Sequence, residues 1–196
     1  DDRYFLAIGD VCGKGTPAAL FMVRTLTVLR SEALRCGVGD AQTLAMLAAR
    51  VNDQLCMGNA AEQFVTLFCA ILDAKAERLD YVNLGHNPPV LRLPGERAGF
   101  MAQPTNPLAG LFEGLRFVAG TTPFPAGSLL MLYTDGVTEA EAQDGRQFGD
   151  DALLGLLGEP DDQGAEACVQ RVVEAVDAFA AGFMQADDIT LLAIRH

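Results

Sequence analysis

Residues 64–72 are apolar almost throughout and rich in β-branched and aromatic side chains, and after a short connection at 73–78 a second such run, 79–84, follows at once. A strand with no polar alternation has to be covered on both faces. A second strand that returns this quickly pairs with it as an antiparallel hairpin. The rest of the chain must therefore supply layers that cover an antiparallel sheet. Further strands are predicted at 4–9, 90–93, 128–134 and 189–194, with one or two edge strands, such as 115–119, inside the Gly- and Pro-rich stretch 94–127.

Helices are predicted in two pairs. Thr16 and Pro17 suit an N-cap and first helical residue, and Met22, Leu26, Leu29, Ala33 and Cys36 then recur at helical spacing until Gly37. Asp40 caps a second helix running to about Cys56, with Leu44, Leu47, Val51 and Leu55 as its buried stripe. A short helix at 150–157 and a long one at 164–183, carrying Val169, Val172, Val173, Val176, Phe179 and Phe183, form the second pair. Strands in hairpins and helices in pairs imply an α+β arrangement of antiparallel sheets with segregated helices, not a regular βαβ alternation.

The chain has 196 residues, half of them apolar, which is one medium domain with a core of its own. Its formal net charge of −12 argues against nucleic acid as a partner, because phosphates need a basic surface. No apolar run reaches membrane-spanning length, since Arg24 and Arg30 break up the longest one. The five cysteines are scattered, without a CxxC pair, as expected of free thiols in a reducing, cytoplasmic setting. The opening Asp1-Asp2-Arg3 followed directly by a strand implies a piece of a longer protein.

Asp10 and Asp135 each end a buried apolar strand and lead into a glycine turn, and Asp187 and Asp188 stand just before another. Aspartate is common in turns, so each alone is explained as a strand-end residue. If the last strand runs antiparallel to the other two, however, the carboxylates share one edge of the sheets. Clustered carboxylates stay ionised only beside compensating positive charge, and oxygen-only donors suit Mg²⁺ or Mn²⁺ where zinc would take His and Cys.

Five segments add to this, in order: Gly9-Asp10-Val11-Cys12-Gly13-Lys14-Gly15-Thr16-Pro17, Phe64-Val65-Thr66-Leu67, Tyr81-Val82-Asn83-Leu84-Gly85-His86, Leu132-Tyr133-Thr134-Asp135-Gly136-Val137-Thr138-Glu139-Ala140 and Asp187-Asp188-Ile189-Thr190-Leu191-Leu192. Taken together the set resembles the bacterial stage II sporulation protein E-type phosphatases, a branch of the protein phosphatase 2C (PPM) superfamily. The resemblance implies an αββα sandwich of two antiparallel β-sheets flanked by helix pairs. It also implies two Mn²⁺ or Mg²⁺ ions and hydrolysis of phosphoserine or phosphothreonine on a regulatory protein, through a water that the two ions activate. Carried over by position, Asp10 bridges the ions, the Val11 carbonyl binds one of them, and Asp135 and Asp187 complete the site, with Asp188 and Lys14 nearby. The substrate implied is an anti-sigma-factor antagonist in a signalling pathway. A sensor or receiver domain before Asp1 and a homodimer formed through the first two helices are further implications.

Two departures bear on that reading. Family members often carry Ser and His where this chain has Cys12 and Lys14. They also carry a further metal-site aspartate upstream of the first motif, for which Asp1 and Asp2 are poor candidates. A fold that has lost its chemistry and serves as a partner-binding module is therefore the rival reading, and a metal-dependent nuclease ranks behind both because of the acidic charge. A nucleotide-binding P-loop is excluded, since only three residues separate Gly9 from Gly13-Lys14 and Gly15 follows. His86 and Asn83 read as parts of a structural turn. Glu139, Asp144, Asp150 and Asp151 read as solvated loop or helix-start residues.

Overall fold

In a computed structural model the chain is described at residues 2–37, 39–158, 164–183, 185 and 187–196. Among these, the strands form two four-stranded antiparallel sheets accompanied by four α-helices, and the chain divides into two compact units, one sheet to each. The expected hairpin is present: β2 (Val65–Asp73) and β3 (Arg78–Leu84) pair from Leu67↔Leu84 to Asp73↔Arg78.

In the first unit, β1 (Arg3–Val11) pairs with β2, and β6 (Gly120–Pro123) with β3, giving the order β1-β2-β3-β6. Val65, Leu67, Cys69 and Ile71 of β2 join a core with α1 (Thr16–Cys36) and α2 (Ala41–Cys56). The alternate residues Phe68, Ala70 and Leu72 are buried as well, so the strand is withdrawn from water on both faces, as its composition predicts. Asp40 caps α2 by accepting from the Thr43 N–H at 3.0 Å, and Leu44, Leu47, Val51 and Leu55 are its buried stripe, both as predicted.

Helix α1 departs from the sequence reading. Its N-cap is Gly15, at φ 81°, and Thr16 is already helical, because the turn from Gly13 into the helix needs positive φ twice. Its inner face is Ala18, Phe21, Thr25, Leu29 and Glu32, while Leu26 is 57% exposed. Polar residues sit inside because their partners are local. The Thr25 hydroxyl donates to the Phe21 carbonyl at 2.9 Å, and the Glu32 carboxylate accepts from Arg35 and from Gln54 of α2.

Residues 115–119 are not a strand. Phe117 is buried in the core, and the Asn106 side chain donates to the Val118 carbonyl (2.9 Å) and accepts from its N–H (2.7 Å). The backbone groups that a sheet edge would have satisfied are met by one amide side chain.

In the second unit, β4 (Val90–Arg92), β5 (Gly99–Phe100), β7 (Leu129–Tyr133) and β8 (Leu191–Arg195) run in the order β5-β4-β7-β8. Leu129, Met131 and Tyr133 of β7 pack with Leu153 and Leu157 of α3 (Gly149–Leu157) and with Cys168, Val172 and Val176 of α4 (Ala165–Ala180). The long helix stops three residues before the predicted Phe183. Ala181 turns into the left-handed region at φ 46° and its N–H closes on the Asp177 carbonyl, which leaves Phe183 beyond the helix and 47% exposed.

Candidate active site

Asp10 lies near the end of β1 opposite Thr66, half-buried, and Val11 follows it, buried and opposite Val65. Gly9 is required beside it: a Cβ there would stand 2.7 Å from the Thr66 carbonyl oxygen. The Cys12 N–H donates to the Phe64 carbonyl at 3.0 Å, after which the chain turns outward and residues 12–15 are exposed. Lys14 is in that exposed turn.

A row of polar side chains supports the Asp10 backbone from below. The Thr66 hydroxyl reaches the Asp10 carbonyl oxygen at 3.3 Å and His86 Nδ1 at 2.9 Å. A hydroxyl has one proton. With it given to the carbonyl, His86 Nδ1 must carry its own hydrogen and donate to Thr66 Oγ1. His86 is in turn fixed by Asn83, whose Oδ1 accepts from the His86 N–H (2.7 Å) and whose Nδ2 donates to the His86 carbonyl (2.8 Å). Asn106 Nδ2 donates to the Asn83 carbonyl at 3.0 Å. His86 is thus a buried part of a turn, as its Gly-His-Asn-Pro-Pro setting suggests, and Asn83, buried near the end of β3, anchors that turn. What sequence reasoning missed is that Thr66 joins this turn to Asp10. The signal available was the pairing of a polar Thr66 with an otherwise apolar strand.

In the second unit Asp135 follows β7 and Asp187 and Asp188 precede β8. These strands are antiparallel with Tyr133↔Leu191, so the acids are brought to the same end of that sheet. Their segments are bound to each other. The Thr134 hydroxyl donates to the Asp188 carbonyl (2.9 Å) and accepts from the Thr190 N–H (2.9 Å), and the Thr134 N–H donates to the Thr190 carbonyl (3.1 Å). Gly136 permits the approach, since a Cβ there would lie 2.5 Å from the Asp188 carbonyl oxygen. Beyond it the turn closes through the Glu139 N–H on the Asp135 carbonyl at 2.8 Å.

Asp135 and Asp187 are half-buried and Asp188 is exposed. Asp187 Oδ1 accepts from the Asp188 N–H at 2.8 Å, and among the described residues no basic side chain pairs with Asp135 or Asp187. Two half-buried carboxylates at one sheet end without a basic partner, all-oxygen in donor type, suit a hard divalent cation better than a structural ion pair. Among the described residues, no group of three or more His, Cys, Asp and Glu side chains is arranged to hold a metal ion. Glu139 and Asp144 are exposed, Asp144 paired with Arg146 at 2.7 Å, and Asp150 and Asp151 occupy the first turn of α3, as predicted.

Comparison with known proteins adds the following. The family model "Stage II sporulation protein E (SpoIIE)" matches residues 1–196. The phosphoserine phosphatase RsbP of Bacillus subtilis is 29% identical over 72% of this chain and 35% of its own length. The phosphoserine phosphatase RsbU of Bacillus subtilis is 25% identical over 97% of this chain and 55% of its own length, so the chain spans only about a third to a half of these relatives. Among solved structures, the PP2C domain of SiaA from Pseudomonas aeruginosa superposes with a TM-score of 0.85 at 19% identity, over 100% of this chain and 76% of that one, which establishes the PP2C fold.

Proposed function

Because the chain belongs to the stage II sporulation protein E family, we propose that it is a metal-dependent protein phosphatase that hydrolyses phosphoserine or phosphothreonine on a regulatory protein. The observation that carries this reading is the family match over residues 1–196, in a chain whose Asp10 lies at the end of β1, Asp135 just past β7 and Asp187 in the segment leading into β8. Two relatives that bear the name phosphoserine phosphatase support it.

Asp10, the Val11 carbonyl, Asp135 and Asp187 would hold two Mn²⁺ or Mg²⁺ ions, with Asp188 and Lys14 close by. When bound, the ions supply charge neutralisation at the phosphoryl oxygens and a water acidified for in-line attack. The protein's own part is positional. Thr66 and His86 hold the Asp10 main chain, and Thr134 with the Gly136 approach holds Asp135 against the Asp187–Asp188 segment. No side chain is needed as a covalent nucleophile.

The substrate proposed is an anti-sigma-factor antagonist, in the cytoplasm, and the proposed full-length arrangement has a sensor or receiver domain before residue 1. Among the described residues no helix is long and apolar enough to cross a membrane. A homodimer through α1 and α2 is supported by Leu20, Val23, Leu26 and Leu34, large apolar side chains of α1 that all lie more than half exposed. Release of phosphate from a phosphoserine peptide in the presence of Mn²⁺ tests the function. Asp10→Ala and Asp135→Ala are each expected to lower it about a thousandfold, roughly 4 kcal/mol of barrier. Undiminished turnover in both variants would overturn the mechanism, and binding of the peptide without turnover would favour a partner-binding module.

A further inference from the structure

The second unit contains a cavity of about 270 Å³ between the end of α4, the turn after Asp135 and the start of the segment leading to β8. Val176, Ala180, Phe183 and Ile189 give it apolar walls, and Glu141 and Asp177 bring two carboxylates to it. Among the described residues neither carboxylate has a basic partner. Arg146, five residues after Glu141, is engaged by Asp144 and lies over the Phe179 ring. The cavity opens to solvent, with Asp177 exposed and Glu141 half-buried, so an apolar wall meets negative charge that has no basic partner among the described residues.

That combination selects its occupant. An anion would meet two like charges, and a purely apolar group would strip water from half-buried Glu141 with nothing in exchange. A lysine or arginine side chain satisfies both parts of the lining, its methylene stem against Val176, Ala180 and Ile189 and its charged head at Glu141 and Asp177. The cavity is also tied to the reacting end of the sheet. Glu141 continues the turn that closes on the Asp135 carbonyl, and Ile189 shares a short segment with Asp187. Resting on the phosphatase reading above, we propose that this cavity is a substrate subsite that seats a basic side chain flanking the phosphorylated residue.

The test uses phosphoserine peptides with one lysine placed in turn at each flanking position, each matched to a norleucine peptide of the same length. The subsite predicts one position at which lysine raises kcat/KM about fivefold over norleucine, as expected for two partly exposed ion pairs. In the Glu141→Gln, Asp177→Asn double variant that ratio falls to about one. Equal rates for lysine and norleucine at every position, or a preference that survives in the double variant, overturns the subsite. Hydrolysis of p-nitrophenyl phosphate with Mn²⁺ by the unaltered protein separately tests the phosphatase reading. If that hydrolysis is absent, fluorescence anisotropy of the same labelled peptides still decides the subsite: tighter binding of one lysine peptide upholds it, and equal binding of each pair sinks it.

Discussion

The two acidic corners of the molecule solve one problem in different ways. At both, an aspartate stands at or just past the end of a strand, beside a glycine that a methyl group would jam against neighbouring backbone, Gly9 before Asp10 and Gly136 after Asp135. At the first corner the chain then leaves the sheet into an exposed glycine turn, and what steadies the Asp10 main chain is a relay of side chains, Thr66 to His86 to Asn83. At the second, two chain segments run side by side beyond the β7–β8 pairing and hold each other through Thr134 and the Asp188 and Thr190 backbone. A loop that departs needs polar side chains beneath it. Segments that run side by side need only close main-chain contact and one bridging hydroxyl.

The contrast can be broken at either corner. The largest effect on stability is expected from Gly136→Ala, whose Cβ would fall 2.5 Å from one backbone oxygen and 3.1 Å from another. Neither can retreat as a side-chain end would, so thermal unfolding should show a loss of about 3 kcal/mol. Thr134→Val comes next. It leaves the Asp188 carbonyl and Thr190 N–H without their shared partner, at a cost of about 2 kcal/mol by chemical denaturation. Thr66→Val should be milder, about 1 kcal/mol, because it removes a longer bond to the Asp10 carbonyl. Its sharper signature is a change in the His86 ring nitrogen resonances in NMR, since Nδ1 loses its acceptor. Thr66→Ser should restore them. A Thr66→Val protein with unchanged His86 signals would contradict the relay.

In the second unit Arg146 holds the exposed Asp144 carboxyl low, and in the first unit two buried carboxyls are held low as well, so acid should cost the first unit more. In the first, backbone N–H donation from Ala76, together with Arg3, holds the Asp73 carboxyl below its ordinary value, and Arg35, then Gln54 and Arg50, do the same for Glu32. Groups whose folded pKa is depressed contribute stability above their unfolded values, 3.8 for Asp and 4.5 for Glu, and lose it as the pH falls through the folded ones. Asp73→Asn with Glu32→Gln should flatten the acid limb of the unfolding curve while leaving the neutral region less stable. The smallest effect concerns thiols. Exposed Cys12 should react with a thiol reagent in the folded protein, while buried Cys69, its thiol pushed up to about 12, should react only on unfolding.

How much of this could be read from the sequence follows the same division. Main-chain devices were legible: the β2–β3 hairpin, the Asp40 cap and the pairing of each acid with a glycine follow from local residue chemistry. Side-chain partnerships across the fold were not. Helical spacing favoured Leu26 for the inside of α1, but Thr25 and Glu32 took inner positions because Phe21, Arg35 and Gln54 satisfy them there. Residues 115–119 have strand-like composition, yet Asn106 meets the Val118 backbone in place of a neighbouring strand. Thr66 stands out only as a polar residue in an apolar run, with nothing local that points to His86.

Calorimetric titration of the chain with Mn²⁺ measures the central claim, that strand-end carboxylates hold shared cations, without depending on any substrate. Saturable binding of two ions is predicted, weakened about tenfold or more by Asp10→Asn, Asp135→Asn or Asp187→Asn in variants that remain folded by circular dichroism. Mn²⁺ binding of equal strength in all three variants and the unaltered chain would contradict the account.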